Sequence, residues 1–196
     1  MAFDPQNFSR FPVVDTCAVW HTLSSQTLYR SAVAQGCKHV VTNFVIYELL
    51  HKPRASPDHH QLELKSRLLH SQQNGDFQSH ALSLSDLSEV ASIMNRKSLG
   101  LGEISSICLA RKVGIAFQSD DRHAKTLASS VLGTARVQTT CYLLGWLVFR
   151  SVISDGQVAE IIEQHESVGG KLREWLNKLN MQGLHFRLMN SKTGQP

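Results

Sequence analysis

Long apolar runs are absent from this chain of 196 residues. Its longest nearly uncharged apolar stretch, Cys141 to Phe149, covers about half of the roughly 20 residues that a helix needs to cross a bilayer, so no membrane span is expected. The opening Met-Ala-Phe-Asp-Pro-Gln-Asn has no basic region leading into an apolar one, and without that export signal a cytoplasmic protein is expected. Cysteine is sparse. Cys17, Cys37, Cys108 and Cys141 lie far apart and never adopt the Cys-x-x-Cys spacing of zinc and redox motifs, which leaves them as reduced packing residues. Missing too are a Gly-x-Gly-x-x-Gly after the first apolar run, a Gly-x-x-x-x-Gly-Lys-Ser/Thr loop and a Gly-x-Ser-x-Gly turn. Their absence argues against a dinucleotide-dependent oxidoreductase, a P-loop kinase and a layered serine hydrolase. No internal repeat or low-complexity tract stands in their place.

What the chain does contain is enough apolar surface to fold: 42% apolar and 18% charged residues, too apolar for disorder. The length suits one domain of ordinary size. A net charge of +4 permits an anionic partner without identifying one.

The apolar pattern alternates between strand and helix. Phe11 to Asp15, Lys38 to Thr42, Phe77 to Leu82, Ile115 to Ser119 and Ala135 to Thr139 read as short strands. Between them lie helical segments: one closing at Gly36, Phe44 to Leu50 capped by Asn43, one around Leu62 to Leu69, one after Ser85, Glu103 to Val113, and Arg122 to Leu132. From Thr140 to Asn180 the pattern is helical, and the last helix carries an apolar stripe suited to docking, followed by a loose tail after Met189. Short buried strands alternating with helices predict an α/β fold, a three-layer α/β/α sandwich around a parallel, Rossmann-like sheet, with helices appended at the C-terminus.

In such a sheet, ligands gather at the carboxyl ends of the strands. That edge would hold Asp15 after the first strand and Asp120 and Asp121 after a later one, with Glu48 in the helix after the second strand and Glu103 opening the helix before the fourth. Each acid also has a plain reading. Asp15, Asp120 and Asp121 suit helix caps and Glu103 suits a first helical turn. Glu48 interrupts the apolar run Phe44 to Leu50 and needs a partner, with His51 and Lys52 nearest in sequence. Taken together, clustered carboxylates repel one another unless they hold a cation. An all-oxygen set favours Mg²⁺ or Mn²⁺ over zinc, and hydrolysis of a phosphodiester is the natural use.

Val13-Val14-Asp15-Thr16, the Glu48 helix, Gly102-Glu103-Ile104-Ser105-Ser106-Ile107-Cys108-Leu109-Ala110 and Phe117-Gln118-Ser119-Asp120-Asp121-Arg122 resemble, in order and spacing, the motifs of the PIN domain, including VapC-like toxin ribonucleases. The resemblance spans about residues 11 to 165. It implies a PIN-like nuclease domain over residues 1–165 with a helical extension and tail over 166–196. It also implies a metal-dependent endoribonuclease acting on RNA, the toxin of a toxin–antitoxin pair, with an antitoxin partner and a homodimeric state. Carried over by position, Asp15, Glu48 and Glu103 become metal-site acids. The fourth is Asp120 by its place at the strand end, or Asp121 by analogy with Thr-x-Asp patterns. Thr16 and Ser119 would orient acids or water. Two positions depart from the family pattern: Cys17 stands where Asn or Ser is usual, and Glu103 where the toxin branch commonly has Asp.

A phosphate backbone would need cations. Lys52, Arg54, Lys65 and Arg67 follow the Glu48 helix, and Arg122 and Lys125 form a second group; both are candidate RNA contacts. His59-His60 shows no further ligand at zinc spacing and is not read as a metal pair. Two other readings stay open: a catalytically inactive PIN-like module that binds RNA or scaffolds an assembly, and a nuclease acting on DNA or flaps.

Overall fold

Val13 and Val14 define the two faces of the sheet. Neighbouring strand residues point to opposite sides, and Val13 packs with Ile107, Phe117, Ala124 and Val137, whereas Val14 packs with Ala18, Leu23, Val41 and Leu68. The computed structural model describes residues 3–52, 58–94 and 99–193. Its strands are β1 (Val13–Val14), β2 (His39–Thr42), β3 (Phe77–His80), β4 (Phe117–Gln118) and β5 (Val137–Gln138). They form one all-parallel sheet in the order β3-β2-β1-β4-β5. Helices cover both faces, so the expected three-layer α/β/α sandwich is what the chain forms.

The helices are α1 (Thr16–Ser24), α2 (Gln26–Ala34), α3 (Asn43–Ile46), α4 (His59–Gln73), α5 (Leu84–Met94), α6 (Leu101–Val113), α7 (Arg122–Leu132), α8 (Thr140–Phe149), α9 (Asp155–Ser167) and α10 (Arg173–Thr193). α1 and α4 lie on the Val14 face, and α6 and α7 on the Val13 face. A third apolar cluster joins α2, α8, α9 and α10, with Leu176 and Leu179 of α10 buried beside Leu143 and Leu147 of α8. The segment after residue 165 therefore shares a core with what precedes it. Among the described residues no helix is long and apolar enough to cross a membrane.

Several local expectations need correction. α3 is capped by Thr42, whose hydroxyl accepts from the Val45 amide, and not by Asn43. α5 starts from Ser83, which exchanges bonds with Asp86, and not from Ser85. Residues 190–193 continue α10 where a loose tail was expected, and residues 194–196 lie outside the described residues. The strands are shorter than their apolar runs because flanking residues such as Phe11 and Ile115 lie outside the ladder.

α10 reaches its place through two glycines. A Cβ on Gly183 would collide with the carbonyl of Gly145 and stand 3.1 Å from Val148 Cβ, and one on Gly145 would lie 3.0 Å from the Leu179 carbonyl. The two backbones cross too closely for any side chain there. Gly183→Ala is expected to destabilise the protein by about 1–3 kcal/mol through overpacking, read by urea denaturation. Helix propensity alone would give up to about 1 kcal/mol of opposite sign, so a gain in stability would refute the crossing.

Candidate active site at the sheet edge

The strand order reverses between β1 and β4, and Asp15 and Asp120 follow those two strands. This switch point is where a parallel sheet opens a crevice. The Asp15 amide donates to the Gln118 carbonyl (3.3 Å), tying the two strand ends together. Asp15 is 0% exposed. Its Oδ1 caps α1 through the Ala18 amide (2.9 Å) and accepts from the Cys17 thiol (3.2 Å), whereas its Oδ2 is buried with no hydrogen-bond partner among the described residues. Burial pushes the Asp15 carboxyl up to about 7, against the pull of the Ser119 hydroxyl, the Ala18 amide and the Cys17 thiol, and with a further push from the Asp120 charge.

Glu48 reaches the same edge from a π turn, Tyr47–His51, that extends α3. The turn is closed by the Lys52 amide on the Tyr47 carbonyl (2.7 Å), and such single-turn bulges recur at functional sites. The partners of Glu48 are not His51 or Lys52. The Thr16 hydroxyl donates to Oε2 and the Gly102 amide donates to Oε1 (3.1 Å), so two remote segments hold one half-buried carboxylate.

Glu103 sits in the first turn of α6 and its carboxylate accepts from the Gly100 amide. Desolvation raises its carboxyl, the Gly100 amide opposes this, and the charges of Glu48 and Asp121 raise it further. A Cβ placed on Gly100 would stand 2.9 Å from Glu103 Oε2 and 3.6 Å from Glu48 Oε1, so the two carboxylates flank one point.

The two aspartates after β4 diverge. Asp120 turns inward: Oδ1 accepts from the Thr140 amide (3.1 Å) and Oδ2 pairs with His21 Nδ1 (3.0 Å). Burial works to raise its carboxyl, but the His21 bond and charge and the Thr140 bond outweigh burial and bring it below the usual range. Asp121 caps α7 with Oδ1 on the Ala124 amide (2.7 Å), its own amide bonds the Ser119 hydroxyl (3.0 Å), and its charge reaches Glu103. Both oxygens of Asp120 are thus occupied by protein donors, while the charge of Asp121 acts on Glu103.

Cys17 links the halves. Its sulfur accepts from the Asp120 amide (3.4 Å) and lies 3.6 Å from Ser119 Oγ. Burial, with Asp15 and Asp120 beside it, pushes the thiol well above its ordinary range, so it is a neutral hydrogen-bond donor here and not a nucleophile. His21, one helical turn beyond Cys17 on α1, is not legible as a site residue from local pattern. A signal exists all the same: positions i and i+4 share a helix face.

The acids nevertheless spread along the edge. Among the described residues no three of them bring oxygens within 4.8 Å of one another, whereas His59, His60 and Glu63 do form such a group. Glu63, three and four residues on in α4, supplies the third donor that zinc spacing does not show beside His59-His60, but it is already paired with Arg67.

The cations divide similarly. Arg54 lies outside the described residues. Lys52 is exposed, and Lys65 reaches the Leu50 carbonyl (3.4 Å). Arg67 is taken up inside the fold: Nη1 donates to the carbonyls of Leu23 (2.6 Å) and Ser24 (3.1 Å) at the end of α1, and Nη2 to Glu63, so it is not the open phosphate contact its position suggested. Arg122 and Lys125 line a cavity that also reaches Asp120, which puts the second basic group beside that acid. No protein-family model, curated protein or solved structure matches the chain.

Proposed function

We propose that this chain is a Mg²⁺- or Mn²⁺-dependent endoribonuclease of PIN type, hydrolysing RNA phosphodiesters at the edge around Asp15. The observation that carries the proposal is the buried Oδ2 of Asp15 at the switch point, which has no hydrogen-bond partner among the described residues. An ionised carboxylate is costly there without a counter-charge. Asp15 and Glu103 are both raised toward neutrality, chiefly by burial and further by neighbouring acids. A divalent cation would relieve both effects, and oxygen donors alone suit Mg²⁺ or Mn²⁺.

Asp15, Glu48, Glu103 and Asp121 would hold one or two ions, their oxygens drawing together from the spread they have without a metal. When bound, such an ion lowers the pKa of a water and offsets charge on the cleaved phosphate. The chain's own groups prepare that site. Thr16 and the Gly102 amide fix both oxygens of Glu48, Cys17 and the Ala18 amide fix Oδ1 of Asp15 so that Oδ2 stays free, and His21 with Thr140 locks Asp120 as a positioning acid. The toxin role, an antitoxin partner and homodimerisation belong to the same proposal through the PIN resemblance.

The spread of the acids favours one rival, an RNA-binding module without catalysis. The test is cleavage of total RNA, beside DNA of matched length, in Mg²⁺ or Mn²⁺, in EDTA, and with Glu103→Gln, together with a Mn²⁺ titration. Cleavage of RNA that stops in EDTA and in Glu103→Gln is expected. Activity that survives EDTA, or an absence of both Mn²⁺ binding and cleavage, would overturn the proposal.

A further inference from the structure

A cavity of about 710 Å³ opens between α7, α8 and α10, with Asp120 in its lining. Its volume falls within the roughly 300–1,000 Å³ of small-ligand sites. The floor is aromatic: Phe3 lies between Tyr142 and Phe186, with ring centroids 5.2 and 5.9 Å away. One wall is α10. Trp175, Lys178, Gln182 and His185 recur there at three- and four-residue spacing, so they share the helix face turned to the cavity, while Leu176 and Gly183 face the core.

The rim is cationic. Arg122 and Lys125 come from α7 and Lys178 from α10, and among the described residues none of the three is ion-paired with a carboxylate. Trp175 is 56% exposed, an unusual place for so large an apolar surface, and the Lys178 ammonium stands 5.1 Å from its ring centroid. Exposed indole, aromatic floor and cations outside any ion pair, with only Lys125 acting on the charge of buried Asp120, match the chemistry of a nucleotide in a single strand. The base stacks on an aromatic face, and the phosphates lie on lysine and arginine. A duplex presents neither unstacked bases nor a backbone narrow enough for such a groove. Continuity with the acidic edge comes from Asp120, which lines the cavity and pairs with His21.

We infer that the α7–α8–α10 groove seats a nucleotide of single-stranded RNA, stacked on Trp175 with its phosphates on Arg122, Lys125 and Lys178, next to the bond to be cut. The inference rests on the reading of the acidic edge as a nuclease site and extends it to a nucleotide subsite walled by α10. The geometry also gives α10 a function beyond packing.

The test is binding of a short unstructured RNA oligonucleotide to the full chain in EDTA, followed by tryptophan fluorescence and by anisotropy, with a matched duplex RNA and a single-stranded DNA as further arms. Expected are quenching of Trp175, weaker binding of the duplex, and about 5- to 150-fold weaker binding of the single strand by Trp175→Ala. Trp175→Phe should restore affinity while losing the quench. Lys125→Ala and Lys178→Ala should each flatten the log–log salt dependence by about 0.7. Unchanged affinity in Trp175→Ala and in both lysine variants, or equal binding of duplex and single strand, overturns the groove. So does a concentration-dependent dimer that Trp175→Ala alone dissociates, which would assign the groove to a second copy. Since EDTA removes cleavage from the measurement, the two readings fail separately. Quenching without cleavage in Mn²⁺ sinks only the nuclease, and cleavage unaffected by Trp175→Ala sinks only the groove.

Discussion

Asp15→Asn is expected to abolish RNA cleavage and, in EDTA at pH 8, to raise the melting temperature. The two effects share one cause. The Asp15 carboxyl is pushed up to about 7 in the fold, from an ordinary value of 3.8. Below pH 4 the group is protonated in both folded and unfolded chains and contributes nothing to stability. Between about pH 4 and 7 the unfolded chain releases its proton while the folded chain keeps it, so ionisation progressively favours unfolding. Each tenfold difference in proton affinity between the two states is worth about 1.4 kcal/mol, so the accumulated loss above pH 7 is on the order of 4 kcal/mol. Other groups titrate in the same window: His39 and His165 are held down near 4 by burial and oppose the trend. The quantity to measure is therefore the difference in unfolding free energy between Asp15→Asn and the parent chain, from pH 4 to 8 in EDTA. It should grow with pH and level off above about 7. Saturating Mn²⁺ should close the gap by stabilising the parent alone. Cleavage should fall by more than the 10- to 100-fold typical of residues that only support a metal ligand. A variant that is less stable at pH 8, or one that still cleaves, would remove Asp15 from the centre of the site.

The second large effect is expected from Gly102→Ala, a change invisible to any reading of charge. A Cβ on Gly102 would sit 2.5 Å from Glu48 Oε2 and 2.8 Å from Thr16 Oγ1. The far end of the Glu48 side chain is the part that can move, so the carboxylate swings away and loses both bonds that fix it. Stability should change little, since alanine suits the first turn of α6 better than glycine by up to about 1 kcal/mol. Activity should fall on the order of 100-fold, as displacement of a group by about 1 Å can do. Cleavage rate, Mn²⁺ affinity and melting temperature, measured together, separate this from simple unfolding. Full activity with an alanine at this position would mean that Glu48 is not part of the machinery.

The residues differ in how much of this is readable without coordinates. α7 runs over Arg122–Leu132, the span its pattern predicts, because Asp121 at its start and Gly133 at its end are local signals. Asp15 is visible as an acid ending an apolar run, since strand, cap and helix follow each other within a few residues. The partners of Glu48 are not visible. They stand 32 and 54 residues away in the chain, and sequence proximity points instead to His51 and Lys52. The π turn that aims Glu48 also leaves no signature in composition, because it depends on one extra residue accommodated in a single helical turn. The roles of His21 and Cys17 are hidden for the same reason: their importance lies in contacts with residues 119 and 120, brought in by a strand added beside β1.

By itself the sequence determined the layered α/β fold, the order of its elements and the carboxylates at its edge, because periodicity, caps and turns act over a few residues and survive without tertiary context. Only the tertiary structure decided which acids share a charge field, that Asp120 turns inward to His21 while the charge of Asp121 acts on Glu103, and that Arg67 is consumed inside the fold. It alone decided that α10 crosses α8 through Gly145 and Gly183 to wall a groove with Trp175. Those outcomes depend on how closely distant backbones approach, and that distance is set by packing the whole core at once.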